Sequence, residues 1–231
     1  MKIVVLLLLS TLIGPAFAQK IIQKSLPYSP SQLVNLNLKF ADSIQVQYWD
    51  KAEVSVHIAV TINNNQLNDA LLVETASTGQ ELSLKTDFDK ERIKQGKAED
   101  CPGHQRSWST NQNGTHYSVC SEINYRVYLP RRAKLTIETI SGNIDIEGAS
   151  EAVSAKTISG YVDMNWPKAK GATLALKTIT GEVYSDLNID FRGKKEKHPI
   201  VGYLLEGTLN GGGPTVRLES ISNNVYLRQQ K

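Results

Sequence analysis

The chain predicts an all-β protein whose C-terminal half is a β-solenoid of stacked coils of about 20 residues, preceded by a β-rich N-terminal region. Three observations carry this expectation. A tetrad recurs as Thr139-Ile140-Ser141-Gly142, Thr157-Ile158-Ser159-Gly160, Thr178-Ile179-Thr180-Gly181 and Ser220-Ile221-Ser222-Asn223. Aligning the copies also aligns apolar columns: Leu135, Val153, Leu174 and Val216, then Ile137, Ala155, Leu176 and Leu218, and beyond the tetrad Ile144, Val162, Val183 and Val225. The remaining apolar segments are short, alternate with polar residues and are rich in Val, Ile, Thr and Tyr, the pattern of strands rather than helices.

Within the first copy the inward residues fall on odd positions before the tetrad (Leu135, Ile137) and on even positions after it (Ile140, Ile144, Ile146). The two-residue strand period therefore changes phase, which places a bend at the tetrad. Gly, Gly, Gly and Asn at its fourth position predict a left-handed backbone there. The fourth positions are spaced by 18, 21 and 42 residues, and the last interval predicts a diverged coil between residues 186 and 213 with Pro199-Ile200-Val201-Gly202 as its tetrad. Lys195 and Lys197, however, stand where its leading apolar columns would be. Stacked coils would turn the aligned columns into ladders about 4.8 Å apart. The alternative is an antiparallel meander or sandwich in which each copy is a hairpin. Glu138, Lys156 and Lys177 share one outward column, with the first two favourably paired and the third a like neighbour.

From the N terminus, Lys2, the apolar run Ile3 to Leu9 and the small residues around Ala16-Phe17-Ala18 predict a signal peptide over 1–18. The run is too short to cross a bilayer and no second one follows, so the mature chain from Gln19 is expected to lack a transmembrane segment. With no Cys at the cleavage site, no lipid anchor is expected. The chain is then exported, to be periplasmic, cell-surface associated or secreted. A net charge of +3 over 231 residues does not suggest nucleic acid as a partner.

Residues 19–130 form the predicted N-terminal β region. Val34, Leu36, Leu38 and Phe40 alternate with polar residues, as do Ile44, Val46 and Tyr48 and then Val54, Val56, Ile58 and Val60, which predicts three adjacent strands. Leu67 to Val73 fits a short helix or a strand entry. Lys85 to Ser118 reads as a long polar loop, followed by a strand over Ile123 to Leu129. Pro130-Arg131-Arg132 introduces the repeat region, 131–231.

Candidate chemistry is sparse. Cys101 and Cys120, the only cysteines, enclose His104 and His116, a spacing compatible with zinc or with a disulfide. Export and an even cysteine count favour the disulfide, which would tether the polar loop and contribute about 3 kcal/mol. The chain contains no Gly-x-Ser-x-Gly, and His57, His104, His116 and His198 lack a recognisable acid and nucleophile beside them, so no catalytic residue or cofactor is expected. Gly211-Gly212-Gly213 reads as a turn, not a phosphate loop, and Asn113-Gly114-Thr115 as a chance sequon. Asp145 and Asp163 share an outward column but are too few to hold calcium. Tyr184 and Tyr226 lie in the same column and suit stacking on sugar rings, with Arg192, Lys194, Lys195 and Lys197 nearby to attract an anionic glycan.

The repeated tetrads and the segment Gly207-Thr208-Leu209-Asn210-Gly211-Gly212-Gly213-Pro214 resemble the bacterial β-strand-repeat putative adhesin family, closely over about residues 123–231 and loosely before that. Asn223 departs from its glycine pattern. The resemblance implies an exported β-solenoid of the bacterial envelope and supplies no catalytic residues. The function expected is a non-enzymatic binding scaffold that presents a β face and loops to an envelope or extracellular glycan or to a protein. A β-helical polysaccharide-active enzyme and a periplasmic regulatory partner are the alternatives.

Overall fold

The computed structural model describes residues 19–103, 107–112, 115–191 and 202–230. The strands in chain order are β1 (Lys20–Pro27), β2 (Leu33–Leu38), β3 (Ser43–Trp49), β4 (Glu53–Ile62), β5 (Leu71–Ser77) and β6 (Glu81–Phe88). The one-turn helix α1 (Lys90–Ile93) follows, then β7 (Ser107–Gln112) and the long β8 (Thr115–Pro130). The repeat region holds β9 (Lys134–Ser141), β10 (Asn143–Glu147), β11 (Val153–Ser159), β12 (Val162–Trp166), β13 (Ala172–Thr178), β14 (Val183–Ser185), β15 (Asp190–Phe191), β16 (Tyr203–Leu209), β17 (Thr215–Ser220) and β18 (Val225–Gln229).

These strands make two nine-stranded sheets. The first runs β1-β4-β8-β3-β10-β12-β18-β14, with β7 on β8, and the second runs β15-β16-β13-β17-β11-β9-β2-β6-β5. Each coil sends one strand into the second sheet, turns a corner at the tetrad and sends the next strand into the first. Coils stack in parallel register, as in Leu135 beside Val153 and Ile144 beside Val162. The fold is a β-solenoid, not a meander of hairpins. Its core lies between the sheets, where Leu36, Ile44, Ile137, Ile144, Val162, Trp166, Leu218 and Leu227 are fully buried. The β2–β3 coil belongs to the same stack, so hydrogen bonding continues across residue 130.

The corners differ in two ways from the sequence expectation. Thr139 is buried while Ile140 is 40 % exposed, and Thr157 and Ile158 repeat the arrangement, so the phase changes after the isoleucine and not before it. The buried hydroxyls have a purpose. Thr157 Oγ1 donates to the Gly142 carbonyl at 3.0 Å, Ser220 Oγ to that of Gly160 at 2.7 Å and Thr178 Oγ1 to that of Asn223 at 2.7 Å. Corner carbonyls that leave the strand ladder thus gain a partner from the adjacent coil, and a buried carbonyl left without one would be costly. The second difference concerns the glycines. Gly142 has a φ of 109°, but Gly160, Gly181 and Asn223 do not take positive φ. At Gly160 a Cβ would lie 2.0 Å from the Gly142 carbonyl oxygen, and at Gly181 2.2 Å from that of Asn223. Close approach of stacked backbones, not handedness, requires glycine at these two corners.

The order of coils also departs from the chain order. β17 pairs with both β11 and β13, and β18 with both β12 and β14, so the last coil sits between the second and third repeats. Glu219 consequently separates Lys156 from Lys177, giving the outward column Glu138, Lys156, Glu219, Lys177 with alternating charge in place of two adjacent lysines. Glu219 lies 3.7 Å from Lys177 and 3.2 Å from Arg217. In the interval assigned to a diverged coil, β16 instead runs antiparallel to β13 and β15 antiparallel to β16; residues 199–201 of the proposed tetrad lie outside the described residues.

Two N-terminal expectations are corrected as well. β2 lies in the second sheet, and β3 and β4 are not adjacent but flank β8. The polar stretch after Lys85 is not a bare loop: it completes β6, forms α1, capped by the Asp89 carboxylate on the amides of Glu91 and Arg92, and supplies the β7–β8 hairpin. Phe88, Ile93 and Tyr117 from it are buried. Leu67 to Val73 contains a 3-10 turn over Asn68–Ala70 and then enters β5.

Candidate functional site

Parallel register carries one outward side chain per strand into a row across the first sheet. The row reads Gln23, His57, Arg126, Gln45, Asp145, Asp163, Tyr226 and Tyr184, from β1 to β14. Successive members are about 4.8 Å apart, so the row is linear and crosses the strands at right angles.

At the β14 end the row is aromatic. Tyr184 stacks on Tyr226 with centroids 5.3 Å apart and planes 12° from parallel, and Tyr161 meets Tyr226 edge-on at 6.2 Å. The Arg228 guanidinium lies 4.7 Å from the centre of the Tyr226 ring, and its Nε donates to both oxygens of Asp163 at 2.9 and 2.8 Å. Asn224 donates to the Tyr226 hydroxyl at 2.9 Å, and the Tyr184 hydroxyl donates to Glu182. Polar neighbours thus hold the rings in place while Tyr184 stays 46 % exposed.

In the middle, burial pushes the Asp145 carboxyl above its usual range; the Tyr161 hydroxyl, donating at 3.3 Å, opposes the shift and the charges of Asp163 and Glu147 reinforce it. A carboxyl raised in this way favours the folded state while protonated. That contribution is complete below the unfolded value of about 3.9 and is lost as pH rises through the folded value. Asp145→Asn is therefore expected to melt higher than the parent at pH 7 and equally near pH 3. A difference that does not change with pH would remove burial of the charge as its cause.

Toward β1 the row becomes basic. His57 stands between the Gln23 side-chain amide at 2.8 Å and Ser55 Oγ at 3.1 Å, edge-on to Tyr128. Ser43, Gln45, His57, Asn124, Arg126 and Tyr128 help to line a groove of about 650 Å³. Arg126 is exposed and makes no ion pair or side-chain hydrogen bond with the described residues.

Of the residues picked out in the sequence, Tyr184 and Tyr226 come together and share their row with Asp145 and Asp163 as expected from the alignment. Arg192, Lys194, Lys195 and Lys197 lie outside the described residues, as do His104, His198 and Asn113. The sulfurs of Cys101 and Cys120 stand at bonding distance, 2.14 Å, and join the 3-10 turn at Ala98–Asp100 to β8. Sequence reasoning missed Tyr161, Arg228, His57, Gln45 and Arg126. Tyr161 and Arg228 sit one residue before and two residues after positions that the repeat alignment does place. Among the described residues no three His, Cys, Asp or Glu side chains converge on a common point, and no helix is long and apolar enough to cross a membrane.

These features define a β-solenoid with a linear row of polar and aromatic side chains on one face. The chain belongs to the Toastrack family DUF4097, which matches residues 59–203. No curated protein matches it. Among solved structures it is similar to a putative cell adhesion protein from Clostridium sporogenes, at 11% identity and a TM-score of 0.52, over 92% of this chain and 100% of that one. It also aligns with a putative adhesin from Bacteroides fragilis, at 9% identity and a TM-score of 0.26, over 92% and 98% of the two chains. A putative lipid binding protein from Parabacteroides distasonis aligns at 11% identity and a TM-score of 0.24, over 91% and 97%. The first likeness shows a shared fold.

Proposed function

We propose that the protein is an exported, non-enzymatic binding scaffold of the cell envelope that presents the outer face of its first sheet to an extended glycan. The observation that carries the reading is the exposed Tyr184–Tyr226 stack at the end of a straight row of polar side chains. The exposed Tyr184 ring, backed by Tyr226 on its inner face, offers a sugar ring a stacking surface on a rigid strand, and the neighbouring amides and carboxylates offer its hydroxyls partners. The parallel ladders fix the spacing in advance, which lowers the ordering cost of binding.

A polysaccharide hydrolase on this face would need two free carboxylates. Asp163 is occupied by Arg228, and Glu147, the other carboxylate beside Asp145, accepts from the Gln47 amide, which favours binding over turnover. Replacing Tyr184 and Tyr226 together with Ser is expected to weaken binding to envelope polysaccharides by on the order of 10-fold or more. Replacing Lys194, Lys195 and Lys197 with Gln should weaken it at low salt only. Retained affinity in a folded tyrosine variant would move the site elsewhere, a purified protein ligand in place of a glycan would favour the regulatory-partner reading, and unsaturated or shortened sugar products would show an enzyme.

A further inference from the structure

We infer that Arg126 reads a carboxylate on that glycan, so that the ligand is an anionic carbohydrate with its acidic group several rings away from the sugar stacked on the tyrosines. This rests on the reading above and adds the ligand's charge and its direction along the face.

Three arginines lie on described strands. Arg217 is held by Glu219 and Arg228 by Asp163. Arg126 alone of the three has no such partner, although it stands in the interior of a sheet and not at a frayed edge. Its neighbours in the row, His57 and Gln45, are not carboxylates. The nearest carboxylate along the row, Asp145, is two strands away, about 10 Å, and accepts from Tyr161. A guanidinium with a free planar fork is suited to a bidentate carboxylate. The groove around it is lined by Ser43, Gln45 and Asn124, groups that both donate and accept and so match a hydroxyl-rich chain, and by one carboxylate, Glu122, which accepts from the Asn124 amide. A peptide would instead anchor through large apolar side chains in closed pockets, and this open groove offers mainly the exposed Ile21 for that purpose.

The geometry also orients the ligand. From Arg126 to Tyr226 is four strand spacings, about 19 Å, which a compact anion cannot bridge and a linear oligosaccharide can. Between them stand the Asp163–Arg228 ion pair and Asp145, whose carboxylate has no cation beside it among the described residues and repels a chain charged on every ring. The face therefore selects a sparse anion by attraction at one point and repulsion at the next.

The test uses the mature protein and three probes: an oligogalacturonate bearing one free carboxylate near one end, its fully methyl-esterified counterpart of equal length, and an acidic octapeptide, with affinities measured by calorimetry. The free acid is expected to bind at least 10-fold tighter than the ester. Arg126→Gln should abolish that difference, and Arg126→Lys should restore only part of it. Both sugars should lose affinity in the Tyr184→Ser/Tyr226→Ser variant. Equal binding of acid and ester, no binding of either, or an acid preference that survives Arg126→Gln would overturn the inference. Tighter binding of the octapeptide would overturn the carbohydrate assignment. Intact sugar binding in the tyrosine variant would instead overturn the placement of the aromatic end and leave the role of Arg126 standing.

Discussion

Gly160→Ala is expected to melt about 6–12 °C below the parent, because its new methyl group has nowhere to go. The Cβ would sit 2.0 Å from the Gly142 carbonyl oxygen and 2.5 Å from the carbon, both backbone atoms. That carbonyl is pinned by the hydrogen bond from Thr157 and by the stack around it. Relieving the overlap means separating two coils locally, an overpacking cost of about 3 kcal/mol, which corresponds to that temperature range in a chain of this size. Gly160→Asn should fare no better, although the equivalent position in the last coil is Asn223. Gly79, whose added Cβ would meet nothing within 4 Å, supplies the control, since Ala there should be neutral or slightly stabilising. Equal effects at the two sites would show that helical or strand propensity, not coil spacing, governs the corners.

Removing residues 215–231 is expected to abolish cooperative folding of the repeat region. The last coil is an interior member of the stack, so its loss leaves a gap between β11 and β13 and between β12 and β14. Val216, Leu218, Val225 and Leu227 are all fully buried, and at about 1.5–3 kcal/mol each their removal matches the net stability of a typical domain. The shortened chain should bind hydrophobic dyes, aggregate and lose its sharp thermal transition. A truncated protein that melts like the parent would mean that the third repeat closes directly onto the second.

How much of this was legible varies with the kind of interaction that decides it. The apolar columns were readable because burial imposes a two-residue period, and Leu135, Val153 and Leu174 do line one core. The register of Asp145 with Asp163, and of Tyr184 with Tyr226, followed from the same alignment. Stack order was not readable, since a strand's own pattern does not say which of several equivalent edges it will join. The β2–β3 coil escaped notice for a local reason: its corner carries one residue more than that of β9–β10 and includes Phe40 at a φ of 60°, stacked on Phe88, in place of a glycine tetrad. Yet Val34 and Leu36 pair with Leu135 and Ile137, and Ile44 and Val46 with Ile144 and Ile146. An alignment allowing that single insertion would have found the coil and, with it, Gln45. Arg126 and His57 reach the row through strands far apart in sequence, which no periodicity reports.

The tetrad isoleucine taught the opposite lesson. It is the most hydrophobic residue of each tetrad, but at two of the corners it is turned to solvent while the threonine is buried. At a corner the demand for hydrogen bonds on freed carbonyls outranks the preference for burying a side chain.

The alternating column Glu138, Lys156, Glu219, Lys177 bears on how the chain avoids a wrong assembly. A chain emerging from its N terminus presents β13 to β11 before β17 exists, and the apolar columns of the two repeats fit one another in register, Val153 with Leu174 and Ala155 with Leu176. That premature pairing would set Lys156 against Lys177, and like charges directly opposite are destabilising. The late arrival of β17 places Glu219 between them, ion-paired to Lys177 and opposite Lys156, in place of that repulsion. The charges on this solvent-facing row thus disfavour the nearer and otherwise well-matched neighbour relative to one that is synthesised some 60 residues later.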